Sequence, residues 1–220
     1  MHFDKIEQHT NDLPAAKAFY KQLLGFAIAN QSATNVSFKV GSSLLSFVET
    51  KEAAFYHIAF LIPSNQLDQA FQFINAKTPV LPFTCNSFIA NFKKWNAQAF
   101  YFHDYSGNIL EFIAHHDLHL HSDVPFSATT VLQICELGLP VSSVTATCHY
   151  LNEHYQLPYY VKGPRLEDFA VMGDDEGLLI VTTTGRGWLP TQRPAEQHSF
   201  NIQITHNNKT IQLHQSDLLK

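Results

Sequence analysis

Charge, cysteine and glycine are all scarce in this chain, and each shortage excludes something. Asp, Glu, Lys and Arg make up only 15% of the 220 residues, and the net charge is −5. A mildly acidic chain attracts neither nucleic acid nor an anionic membrane, so no partner of either kind is expected. The three cysteines, Cys85, Cys135 and Cys148, are odd in number and show no metal-ligand spacing. A disulfide framework is therefore not expected, and a reducing, cytoplasmic setting fits. The 9 glycines form no phosphate-cradling loop. No apolar run approaches the ~18 residues that a transmembrane helix needs. Met1-His2-Phe3-Asp4-Lys5 lacks the charged-then-apolar layout of a secretory signal.

Apolar material is plentiful. Hydrophobic residues make up 45% of the chain, with 18 Phe and 8 Tyr, enough for a substantial core and too much for a disordered segment. A pattern also recurs. Phe3 to Thr10 reads as a strand, Asp12 or Asn11 as a helix cap, and Pro14 as a first-turn residue. Ala16, Phe19, Tyr20, Leu23 and Leu24 follow at helical spacing, and Gly25 sits at the expected helix stop. Strands are expected over 26–29, 35–40 and 43–48, giving the order β-α-β-β-β.

The order repeats with a strand over 56–62, a helix carrying Leu67, Ala70, Phe71 and Ile74, and strands over 97–103 and 109–114. Asp104-Tyr105-Ser106-Gly107-Asn108 is the turn between the last two. A polar, His-rich stretch over 116–128 reads as a linker. A third unit follows, with strands over 131–137, 168–172 and 178–182 and a helical stripe at Val144, Cys148, Leu151 and Tyr155. The end reads as a β-hairpin over 200–213. The predicted fold class is α+β: repeated βαβββ units whose curved mixed sheets surround a pocket, with helices outside. The expected domains are 1–115, with two units, and 129–220, with a third unit and the hairpin.

Three stretches carry a resemblance: Phe19-Tyr20-Lys21-Gln22-Leu23-Leu24-Gly25-Phe26, Tyr56-His57-Ile58-Ala59-Phe60, and Trp95 through Phe112 with its Asp104-x-x-Gly107-Asn108-x-x-Glu111 string. Together they resemble the glyoxalase/bleomycin-resistance/extradiol-dioxygenase group, the vicinal oxygen chelate superfamily. The resemblance implies a divalent metal held by a His or Gln on the first strand of a unit and a Glu on its last strand. By position it assigns His57 and Glu111 as metal ligands. Imidazole and carboxylate suit Fe, Mn, Ni, Co or Zn alike. In the first unit the corresponding places fall on Lys5 and on Leu45 or Ser46, none of them a good ligand. In the third they fall on Glu136 and near Val181.

The implied function is that of a glyoxalase-like small-molecule protein: a metal-dependent lyase, isomerase or dioxygenase. The alternative is a metal-free protein that sequesters a small apolar or aromatic molecule, as the bleomycin-resistance branch does. Lys5 and Glu7 are pocket candidates, because the Lys5 ammonium would lie near the metal's place and could pair with Glu111. Further ligands are sought at His9 or His103. The His115–His121 run is chelating in composition but reads as linker. Residues 88–95 are the place to look for a lid, and Arg165 or Arg186 for an anion contact. The third unit either packs on the first two or pairs with another subunit, so a homodimer is among the expected assemblies. The C-terminal hairpin offers an edge for such pairing.

Overall fold

A computed structural model of the chain describes residues 1–218. Two mixed sheets carry most of it. Sheet A runs β16-β15-β1-β4-β3-β2, where β1 is His2–Thr10, β2 Ala27–Gln31, β3 Asn35–Val40, β4 Ser43–Glu49, β15 Phe200–His206 and β16 Lys209–His214. Sheet B runs β11-β12-β10-β5-β9-β8-β6. Its strands are β5 His57–Leu61, β6 Val80–Leu81, β8 Ala97–His103, β9 Ile109–His115, β10 Gln133–Val141, β11 Phe169–Asp174 and β12 Gly177–Thr183. A short β7, Ala90–Phe92, pairs with β8. A two-stranded ribbon, β13 Gly187–Trp188 and β14 Arg193–Pro194, lies in the loop after β12. The α+β class and the repeated unit expected from the sequence are both present.

Each unit begins with a strand and a capped helix. The Asp12 carboxylate accepts from the Ala15 amide at 2.9 Å and starts α1, Leu13–Lys17, which continues as a π-type turn over Ala18–Leu24. Gly25 ends it at φ 95°, a conformation that favours glycine. α2 is Leu67–Asn75 and α3 is Val144–Tyr155, the latter capped by the Ser143 hydroxyl. Helices and sheets share one continuous core in which Phe60, Phe100, Phe102 and Phe112 pack edge-on or tilted. These phenylalanines are core, which is the physical outcome of their burial rather than a pocket lining.

Hydrogen bonding joins the units across the chain. Antiparallel to β5 lies β10, so the second unit joins the third. Antiparallel to β1 lies β15, so the first unit joins the C-terminal hairpin. Residues 116–128 connect two strands of the same sheet. Side chains and backbone of Ser64, Asn65 and Gln66 hold that segment through Leu120, Ser122 and Val124. No helix among the described residues is long and apolar enough to cross a membrane.

Candidate metal centre and its cavity

The Asp104–Asn108 turn fixes the site's register. Asp104 is buried and accepts four bonds: the Tyr20 hydroxyl at 2.8 Å, the Asn108 side chain at 2.8 Å, and the backbone N–H groups of Ser106 at 2.9 Å and Asn108 at 3.0 Å. Gly107 supplies the positive φ, +85°, that closes the turn. Asn108 then accepts from the Tyr56 amide at 2.8 Å. That bond holds the residue preceding His57 against the start of β9. The parallel register that follows sets His57 beside Ile109 and Ala59 beside Glu111. The turn motif that carried the resemblance thus acts by aligning two strands, and alignment places His57 and Glu111 on one face.

On that face three side chains converge. The His57 Nε2 lies 3.5 Å from the Glu111 Oε2. Glu136, on β10 opposite Ala59, completes a group whose ligand atoms all lie within 4.8 Å of one another. All three residues are buried. The Nδ1–H of His57 donates to the Ile109 carbonyl at 3.2 Å, which leaves the Nε2 lone pair facing the carboxylates. Burial lowers the His57 pKa to about 4, against a smaller opposing effect of the Ile109 bond. It raises Glu136 to about 8. Burial, and then the charge of Glu136, raises Glu111 well above the usual carboxylate range, while the Tyr101 hydroxyl pulls the other way.

The group fits a divalent cation. The Glu111 Oε1 and the Glu136 Oε1 are buried without a hydrogen-bond partner. Ionised, the two carboxylates and the neutral imidazole have no compensating charge beside them, and a 2+ ion would balance them and favour loss of the carboxyl protons. One nitrogen and two carboxylate ligands leave coordination positions open, as a catalytic site requires.

The three ligand candidates form the floor of an open cavity of about 730 Å³. Five aromatic side chains line it: Trp188, Trp95, Phe92, Tyr101 and Phe169. Trp188 packs 5.1 Å from the His57 ring and covers Gly138, where an added Cβ would meet the indole at 2.8 Å. Lys93, Lys94 and Arg186 lie at the more exposed rim. Residues 91–95, from the segment singled out as a lid, line one side.

Other sequence candidates fall elsewhere. Lys5 and Glu7 lie on β1 in sheet A, bonded to each other at 2.7 Å, and neither lines the cavity. The expected Lys5–Glu111 pair does not form, because β1 pairs with β15 and not with β5. The Ser46 hydroxyl bonds to Ser37 at 2.7 Å, and Val181 is core. The His103 Nδ1 contacts the Asn108 carbonyl at 3.3 Å, and His9 stays in sheet A. Among the described residues the 115–121 run forms no metal-capable group. Arg165 stacks on Tyr159, and Tyr160 bonds to Asp175. All three cysteines are free, and burial raises the thiols of Cys135 and Cys148. Trp188 carries no periodic signal: it lies in an aperiodic loop two residues after Arg186.

No protein-family model matches the chain, and no curated protein matches it. Among solved structures, a candidate dioxygenase from Bacillus subtilis subsp. subtilis strain 168 superposes with a TM-score of 0.62 at 15% identity. The match covers 89% of this chain and 67% of that one. A lactoylglutathione lyase from Agrobacterium tumefaciens matches at TM-score 0.42 and 19% identity, over 50% of this chain and 91% of that one. A glyoxalase/bleomycin resistance protein/dioxygenase from Alicyclobacillus acidocaldarius matches at 0.44 and 18%, over 54% and 96%. The fold is the glyoxalase-type fold.

Proposed function

We propose that the chain is a divalent-metal-dependent protein of the glyoxalase/dioxygenase type, acting as a lyase, isomerase or dioxygenase on a small molecule held in the cavity above His57, Glu111 and Glu136. One observation carries this reading: two buried carboxyl groups lie together beside the His57 Nε2 with no Lys or Arg partner among the described residues, each with an unpartnered oxygen. Structural burial of two such groups without a counter-charge is costly, and a bound ion removes the cost.

His57, Glu111 and Glu136 would hold the ion, which when bound supplies Lewis-acid polarisation of a substrate oxygen. The protein's own parts do the rest. The Ile109 carbonyl fixes the His57 tautomer. Tyr101, cross-strand from Glu111, presents its hydroxyl to that carboxylate. Trp188 closes the cavity beside His57 and keeps bulk water from that ring. The ligand set is compatible with Fe, Mn, Ni, Co or Zn.

The test is metal content by mass spectrometry on untagged protein, wild type beside His57→Ala, Glu111→Gln and Glu136→Gln. Near-stoichiometric metal, lost in all three variants with folding retained, is the expected result. Absence of metal in the wild type after incubation with each of the five ions would overturn metal dependence. The cavity would then be that of a protein that binds and sequesters its ligand.

A further inference from the structure

The cavity's walls and rim differ in chemistry from its floor. Both tryptophans of the chain, Trp95 and Trp188, line it, with Phe92 and Phe169 beside them. Trp95 packs 5.5 Å from Phe92, edge-on to Tyr160 at 5.3 Å and parallel to His115, so its indole is held in place. Trp188 is held against His57. Fixed aromatic faces favour flat, polarisable ligands over bulky saturated ones.

The rim carries positive charge in a chain whose net charge is −5. Arg186 is partly committed: it pairs with Asp168 at 3.2 Å and stacks on Phe169 at 4.4 Å. Lys93 and Lys94 are exposed and form no ion pair among the described residues. Two adjacent unpaired lysines, with an arginine lining the same cleft, draw anions inward.

We propose that the cavity takes a flat aromatic molecule bearing a carboxylate or comparable anionic group, its ring against the indoles of Trp95 and Trp188 and its charge at Lys93 and Lys94. The proposal rests on the reading of this cavity as the substrate site. It does not depend on which ion the floor holds.

Calorimetric titration of the full chain tests it, on chelator-treated and on metal-loaded protein. The probes are 2-naphthoate, its neutral counterpart 2-naphthamide, and cyclohexanecarboxylate. The acid is expected to bind roughly three- to tenfold more tightly than the amide, the range two exposed charges supply. Cyclohexanecarboxylate is expected to bind at least about threefold more weakly than 2-naphthoate. In Lys93→Gln/Lys94→Gln the preference for acid over amide should disappear while amide binding is unchanged. Both positions are exposed, and thermal melting confirms that the variant folds. Equal binding of acid and amide overturns the proposal. So does a preference that survives the double substitution, or binding of neither naphthalene. Lysine-dependent binding of the acid in a protein that takes up no metal would leave this proposal standing and sink only the metal reading. Metal uptake without it would do the reverse.

Discussion

At matching register positions the two sheets place different chemistry. In sheet B, Glu111 and Glu136 both lie opposite Ala59, two residues beyond His57. In sheet A, Ser46 and Asn201 both lie opposite Glu7, two residues beyond Lys5. Sheet A's set satisfies itself: the Lys5 ammonium and the Asn201 amide both donate to the Glu7 carboxylate, and His214 bonds to Asn201. Burial alone would raise the Glu7 pKa, but the bonds from Lys5 and Asn201 outweigh it and hold that pKa low. Sheet B's set is buried and holds two carboxyl groups with no Lys or Arg partner among the described residues, so their ionised forms lack any counter-charge. The same strand geometry brings side chains together in both places. Charge balance and burial decide which place needs an ion.

The comparison can be broken at either sheet. The largest effect is expected at the ligands. Glu111→Gln or Glu136→Gln should weaken metal binding by at least about a hundredfold, because loss of even an outer partner costs ~10–100-fold. Competition with a chromogenic chelator measures this. Gly138→Ala should destabilise the fold by roughly 1–3 kcal/mol, the usual cost of overpacking, because the new methyl meets Trp188 and the His57 Cβ. Gln203→Ala, opposite Lys5 in sheet A, should cost less in the same thermal melt.

A third effect is pH-dependent. In metal-free protein Glu136 keeps its proton to about pH 8 when folded, but releases it near 4.5 when unfolded. The folded state binds more protons in that window, so the Glu136 contribution to stability falls as pH rises through it. The gain in Tm from Glu136→Gln should therefore grow with pH, by roughly 2–4 °C for each kcal/mol recovered. His57 runs the other way. Its contribution is lost as pH falls from 6.5 to about 4, and it is common to both proteins. The smallest effect belongs to sheet A. Glu7→Gln should cost about 1 kcal/mol or less, since Lys5 and Glu7 are partly exposed, and should leave metal content unchanged. Metal loss in Glu7→Gln would erase the distinction between the sheets.

What could be read from the sequence follows from what is local. The helix cap at Asp12, the stop at Gly25 and the turn at Asp104–Asn108 act within a few residues, and their signals were legible; the Ser143 cap is equally local but was not read. His57 and Glu111 were visible because that turn sits beside them. Glu136 was visible as the first-strand position of its unit. Its place beside the other two was not, because it depends on β10 choosing β5 as partner. Such pairing is a long-range choice that hydrophobic period does not encode. Lys5 was misplaced for the same reason. Trp188 lies in a loop without period, and its role emerges only from contact with Gly138 and His57.

The pairing of β1 with β15 has a consequence for biogenesis. All strands of sheet B lie between residues 57 and 183, so the cavity floor can assemble on the ribosome from sequence already made. β1 finds β4 early, yet its other edge stays open until Phe200–His206 emerges, almost the length of the chain later. Synthesis therefore leaves one edge of β1 unpaired from the completion of β4 until β15 emerges, and that edge belongs to the sheet without the buried carboxyl pair. Chaperone dependence and early aggregation should map to sheet A rather than to sheet B.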